Sequence, residues 1–314
     1  MEKVTALRPT ALFGTPPEPL FNNQLCGATT EMLEDWMVLL ADKNSEALEN
    51  AKAVQGSSII QESVQFLFLT CDRMKMSSEV KYLSLDLFDR FMLQHVQDLH
   101  EHVVNTHPVK TRMKEWQEIQ KRVSNQVVLR VISCIQIASK LTSHYRILSP
   151  NKARRFLFDA GHRYNTESIL QSELRILKTL DFCVSRPSPL VYLECILEAL
   201  GKTECEFEVK VLHGVTLNLL DMVYLQYSEI YSRLHEVAAG GSPVTQKDME
   251  CFASVRADKM LLMVTLITAA AYIIDRNSHE KIMFSVSRIT KIPAEDISDF
   301  ASVILKTLME SSED

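Results

Sequence analysis

The histidines His95, His100 and His102 fall close together, and His95 and His102, seven residues apart, would share one face of a helix. Imidazoles placed this way can ligate a transition metal, but a metal site needs further donors. The neighbours Asp98 and Glu101 read instead as a solvated polar face. Seven cysteines, Cys26, Cys71, Cys134, Cys183, Cys195, Cys205 and Cys251, are odd in number and scattered, several of them inside apolar helical runs. They read as buried free thiols in a reducing compartment, with neither a disulfide framework nor a zinc ribbon. Lys152, Arg154 and Arg155 carry enough charge to touch phosphate, yet they sit where the solvated first turn of a helix is expected. No glycine-rich phosphate loop, H-E-x-x-H, C-x-x-C or G-x-S-x-G occurs. No catalytic residue, metal or cofactor is therefore expected, and binding is the chemistry left open.

The elements that would position any binding residue are helices. Glycine is scarce, at eight of 314 residues, while 46% of residues are hydrophobic and 24% charged. Leu, Met, Ala, Glu and Lys abound, and their side chains lose little rotamer freedom in a helix. Residues 1–29 carry Pro9, Pro16, Pro17 and Pro19 and read as a flexible tail, with Thr15-Pro16 as a proline-directed phosphorylation candidate. Met32, Leu33, Trp36, Leu39 and Leu40 then follow helical spacing in a leading amphipathic helix. Ser58 to Gln61 reads as a capping box opening the next helix, and Ser77-Ser78 as a cap for the one after. The segment from about 95 to 122, basic around Trp116 and interrupted by Pro108, reads as an inserted loop with a helical stretch.

A helix expected over 124–142 is apolar on most sides, which places it at the centre of a bundle. Its polar stripe, Arg130, Ser133, Gln136 and Lys140, predicts one face that escapes the core. Ser149-Pro150 opens another helix that Gly161 can close. A helix over 166–180 is expected to pack through Ile169, Leu170, Leu174, Leu177 and Leu180, with Glu173 at its edge. After Arg186-Pro187-Ser188-Pro189 the pattern continues to Gly201 and then over 206–237, 255–275, 279–290 and 294–310. The longest apolar run, Met260 to Ile274, has 15 residues, short of the roughly 18–20 a bilayer needs. No secretory signal pattern opens the chain. The expected fold is all-α: two stacked bundles of about five helices each with an N-terminal helix, divided as 1–29, 30–186 and 187–314.

Three segments in order resemble a cyclin box. Val64 to Met92 resembles the first two cyclin helices and ends in Asp89-Arg90-Phe91, the family's D-R-F signature. Val131 to Lys140, VISCIQIASK, resembles the central third helix with its A-x-K ending. Ser172 to Tyr192 resembles the fifth helix, its L-x-F exit and the proline pair leading to a second box. The resemblance implies the cyclin fold, detailed over about 60–195 and by helical pattern alone over 200–310. In kinase-binding cyclins a lysine ending the third helix and a glutamate on the fifth make polar contacts beside the kinase's regulatory helix. Lys140 and Glu173 match those positions, so the resemblance implies partner-binding anchors there, with an intramolecular ion pair as the alternative. Charge-assisted hydrogen bonds would orient a partner helix beside an apolar contact.

Two departures stand out. The arginine that pairs with the second-helix aspartate in many cyclins falls at Ile60, so Asp89 must find another donor or lie near solvent. The same change weakens the case for substrate docking at the hydrophobic patch of cyclins. Leu141-Thr142-Ser143 follows Lys140 without the acidic residues of kinase-activating members. With its long insertion before the third helix, the chain is most similar to a meiotic branch of the family. That resemblance implies a non-enzymatic nuclear, chromosome-associated regulator of crossover maturation, binding a cyclin-dependent kinase, meiotic recombination proteins, or both. A scaffold that activates no kinase is the alternative on the same fold. A nucleic-acid-binding module is the third reading, opposed by the net charge of −6 and the lack of an extended basic helix.

Overall fold

The computed structural model describes residues 19–22, 27–52, 54–142, 146–203, 207–238, 246–277 and 279–310, and all their side chains except those of 246–251. It is built from helices, with no strand among the described residues. They are α1 (Thr30–Glu49), α2 (Gln61–Arg73), α3 (Ser78–Thr106), α4 (Val109–Thr142), α5 (Pro150–Asp159), α6 (Thr166–Thr179) and α7 (Pro189–Leu200). There follow α8 (Val209–Leu225), α9 (Tyr227–Ala238), α10 (Gln246–Ala257), α11 (Lys259–Ile274), α12 (His279–Thr290) and α13 (Ala294–Glu310). None of them is long and apolar enough to cross a membrane.

The helices gather around two apolar axes. α4 packs against α2, α3, α5 and α6, while α11 packs against α7, α8, α12 and α13. Each axis is buried because its side chains are apolar almost all round: Val131, Ile132, Cys134 and Ile135 on α4 and Met263, Val264, Leu266 and Ile267 on α11 have no exposure. Among the described residues the second group holds seven helices, α7 to α13. The span 206–237 is divided at Gln226 into α8 and α9, and α10 precedes the long apolar helix.

Helix starts follow local chemistry in most places. Ser77, Ser149 and Asn165 each accept a backbone N–H of the first turn with a side-chain oxygen. Gly161, at φ +86°, follows the end of α5. The capping box expected at Ser58 does not form. Ile60 occupies the N-cap position without a side-chain bond, and Ser58 is engaged elsewhere.

The 95–122 segment is helical throughout except at its turn, where a loop was expected. α3 runs 29 residues and α4 runs 34, about 44 and 51 Å at the α-helical rise. Pro108 breaks the pattern only because it is the turn. His107 before it is extended, as a pre-proline residue prefers, and the Pro108 carbonyl accepts the N–H groups of Thr111 and Arg112. Val103 and Ile119 are buried and His100 meets Trp116 edge-on, at 5.0 Å between ring centroids.

The N-terminal segment also differs from expectation at its described residues. The Asn22 N–H donates to Glu198 Oε2 (2.7 Å), its amide donates to the Glu198 carbonyl (2.9 Å), and Phe21 lies 5.3 Å from the His213 ring. Thr15-Pro16 lies outside the described residues. α1 packs through Leu33 and Leu40, whereas Met32, Trp36 and Leu39, expected in the packed face, are exposed.

Candidate partner-binding surface

The stripe Arg130–Ser133–Gln136 does not escape the core; it is a buried polar seam between α4 and α6. Arg130 Nη1 donates to Ser172 Oγ (2.7 Å), Arg130 Nη2 to Gln126 Oε1 (2.7 Å), and Ser133 Oγ to Ser172 Oγ (2.8 Å). Gln136 donates to the Leu148 carbonyl, and the Leu148 N–H donates to Ser139 Oγ at 3.0 Å. Leaving such buried groups unpaired is costly, so these bonds fix the register of α6 and of residues 146–148 on α4, with Gln136 Oε1 left without a partner among the described residues. Only the last member of the stripe, Lys140, reaches solvent.

There Lys140 Nζ and Glu173 Oε1 form an ion pair, the lysine side chain 39% exposed and the glutamate 11%. The second carboxylate oxygen of Glu173 is buried and has no hydrogen-bond partner among the described residues. Helical spacing puts Leu170, Glu173 and Leu174 on one face of α6. Leu170 and Leu174, expected in the packed face, are exposed at 42% and 38%; Ile169 and Ile176 do the packing. Leu141, next to Lys140, is exposed at 47%. The structure thus joins the two residues that the sequence singled out and borders them with apolar side chains facing solvent. This arrangement can hold an apolar partner surface while a charged pair sets its orientation.

Asp89 has its substitute donors. It is 4% exposed and accepts the N–H of Gly56 at Oδ2 (3.2 Å) and of Ser58 at Oδ1 (3.3 Å). Gly56 has φ +77°, and a Cβ there would stand 2.5 Å from the Tyr227 ring. Only glycine therefore lets this turn reach the carboxylate. Burial pushes the Asp89 carboxyl up to about 7, against the opposing pull of the two amides. One turn earlier, Asp86 is held between Arg90 Nε and Lys259 Nζ, both at 2.8 Å, and these cations keep its carboxyl well below the usual range despite burial.

The remaining sequence candidates separate. His95 is buried and stacked on Phe91 at 5.0 Å, and burial lowers its imidazole to about 4. His102 is exposed beside Thr106. Among the described residues no group of three or more His, Cys, Asp or Glu side chains converges on a metal position. Cys71, Cys134 and Cys195 are free and buried, with the Cys71 thiol pushed up to about 12 by burial; Cys183 is free and exposed. Cys26, Cys205 and the Cys251 side chain lie outside the described residues. Arg154 and Arg155 are exposed on α5.

Comparison with known proteins agrees with this architecture. A family model for the cyclin N-terminal domain matches residues 38–185, which span α4, α6 and the Lys140–Glu173 pair. Cyclin N-terminal domain-containing protein 1 of Mus musculus is 34% identical over 278 residues, 88% of this chain and 83% of the relative. Its Homo sapiens counterpart is 32% identical over 88% of this chain and 84% of its own length. The G2/mitotic-specific cyclin-B1 of Carassius auratus is 24% identical over 67% of this chain and 42% of its own length. With a cyclin-box helix order, a packed central helix carrying Lys140 in its last turn, and two relatives above 30% identity matched over more than four fifths of their length, the chain belongs to the cyclin family, with Cyclin N-terminal domain-containing protein 1.

Proposed function

We propose that this chain is a non-enzymatic regulator of meiotic crossover maturation that acts in the nucleus, on chromosomes. It binds a cyclin-dependent kinase, recombination-complex proteins, or both, through the surface around Lys140 and Glu173. The observation that carries the binding mode is the Lys140–Glu173 ion pair, its lysine 39% exposed, bordered by exposed Leu141, Leu170 and Leu174. The exposed ammonium keeps donors free for a partner's acceptor, while Glu173 fixes its position. The surrounding leucines fit an amphipathic helix laid against the surface. The meiotic setting rests on the resemblance to Cyclin N-terminal domain-containing protein 1.

The test is affinity purification of the tagged full chain from meiotic cells, compared with Lys140→Glu/Glu173→Lys. The double variant keeps opposite charges facing each other, so the fold holds, but each anchor now offers a partner the wrong sign. A kinase recovered with wild type and lost with the swap supports the reading. A kinase retained undiminished removes these two residues from its interface.

A scaffold that assembles recombination proteins without activating a kinase has its own observation. The α3–α4 hairpin exposes Val109 and Met113 at 76% and 70%, a surface separate from the ion pair. Partners that survive the charge swap and are lost with Val109→Asp/Met113→Asp would favour it.

A further inference from the structure

We infer that a second docking pocket in the first helical group takes an acidic peptide segment of a partner protein, anchored by a bulky apolar side chain. The pocket, of about 440 Å³, opens where the α2–α3 turn meets residues 146–148 and α5. It includes neither Lys140 nor Glu173, so it is a different site from the one proposed above.

Its floor is apolar: Met74 and Met76 from the turn, Leu148, Phe156 of α5, and Ile147, which is 41% exposed. Two methionines give a floor that adapts to the shape of an inserted side chain. Its rim is basic, with Lys75, Arg146, Lys152 and Arg155 facing the single lining carboxylate, Asp159. The rim is also held in place. Arg146 Nη1 donates to the Lys75 carbonyl (2.7 Å), and Lys75 itself sits at φ +52°, which carries that carbonyl across the turn. Lys152, Arg155 and Asp159 fall on one face of α5, at spacings of three and four.

Charge complementarity selects the occupant. The chain as a whole carries a net charge of −6, yet four of the five charged side chains lining this pocket are cations. Such a local inversion attracts carboxylates and orients them, while the methionine–phenylalanine floor supplies the apolar contact that a simple anion site lacks. A nucleic acid would need a basic track following its backbone, and the apolar floor would gain nothing from it.

The experiment pans a random-peptide display library on the immobilised full chain, with parallel panning on Lys152→Glu/Arg155→Glu and on Ile147→Asp. All three positions are exposed, and circular dichroism melts are the control that each variant folds. The expected result is a set of peptides combining Asp or Glu with Leu, Phe or Trp. Synthetic copies should bind about tenfold or more weakly to either variant, and as well as ever to Lys140→Glu/Glu173→Lys. No enrichment, enrichment without the acidic–apolar pattern, or binding indifferent to both variants would overturn the inference. So would displacement of the peptides by duplex DNA, or their equal displacement by inorganic phosphate, which would make the pocket a plain anion site.

Discussion

The two apolar axes, α4 and α11, are alike in burial and opposite in their polar chemistry. α4 sends side chains to another helix, Arg130 and Ser133 to Ser172 and Lys140 to Glu173, besides the Ser139 and Thr142 hydroxyls that turn back on its own carbonyls. α11 has few to send, and Thr268 turns its hydroxyl back on the Val264 carbonyl of its own helix. Its polar contacts lie at its beginning, where Asp258 caps the helix, Asn44 of α1 accepts the N–H groups of Lys259 and Met260, and Lys259 reaches Asp86 of α3. The difference assigns work. The seam on α4 aligns the surface proposed to take a partner, whereas α11 is a packed support whose polar end ties the second group of helices to the first.

The largest expected effect tests the support. Leu266 has no exposure, and Leu266→Ala should cost about 3–4 kcal/mol in urea unfolding. Partner affinity per folded molecule should be unchanged; a parallel loss of affinity would break the division. Lys259→Met comes next. It leaves Asp86 with one of its two cations and removes the bond to the Pro187 carbonyl (3.0 Å), costing about 3 kcal/mol. Loosening between α3 and α11 should show as faster amide exchange at the start of α11. Ser172→Ala should cost about 2 kcal/mol, because it deprives the Arg130 guanidinium of one acceptor and the Ser133 hydroxyl of its interhelical partner. Unlike Leu266→Ala, it should also weaken partner binding by shifting Glu173, and titration calorimetry would separate the two.

The smallest effect concerns pH and sharpens the contrast on α3 itself. Asp86 and Asp89 lie one turn apart, one clamped by cations and the other given only two amides. A carboxyl raised to about 7 in the fold takes up a proton on folding between its unfolded value near 3.8 and 7. Its contribution to stability is therefore complete below the unfolded value and is lost as pH rises through that window. Asp86, held low, acts in the opposite sense: its stabilisation is present above the unfolded value and lost as pH falls. His95, held low by burial, acts in the opposite sense to Asp89 below its unfolded value of 6.5, so the test is the difference between chains. In thermal melts from pH 5 to pH 8, Asp89→Asn should gain on wild type as pH rises. A difference that does not change with pH would remove Asp89 as a titrating contributor.

How far the sequence could be read differs by element. Periodicity placed the central helices, since apolar residues on nearly every side leave no alternative to burial. It also found Ser77 and Ser149 as helix starts, because caps are local hydrogen bonds, while the cap at Asn165 was seen only in the structure. It gave the wrong face for Leu170, Leu174, Met32, Trp36 and Leu39, which are exposed, since spacing reveals a stripe but not what lies opposite it. The hairpin of α3 and α4 was hidden for a related reason: charged residues and a proline resemble a loop until two helix faces are seen to close over Val103 and Ile119.

Sequence alone determined the helical class, the order of the cyclin-box segments and the identity of Lys140 and Glu173, the two residues on which the proposed surface rests. These depend on local propensity, apolar spacing and residue identity, all of which are properties of the chain before it folds. Tertiary structure decided that Arg130, Ser133 and Gln136 face inward, that Gly56 and Ser58 serve Asp89 in place of a side chain, and that Lys259 reaches Asp86 across 173 residues. Each is a pairing between groups distant along the chain. Burial makes such pairing compulsory, but only packing chooses the partner.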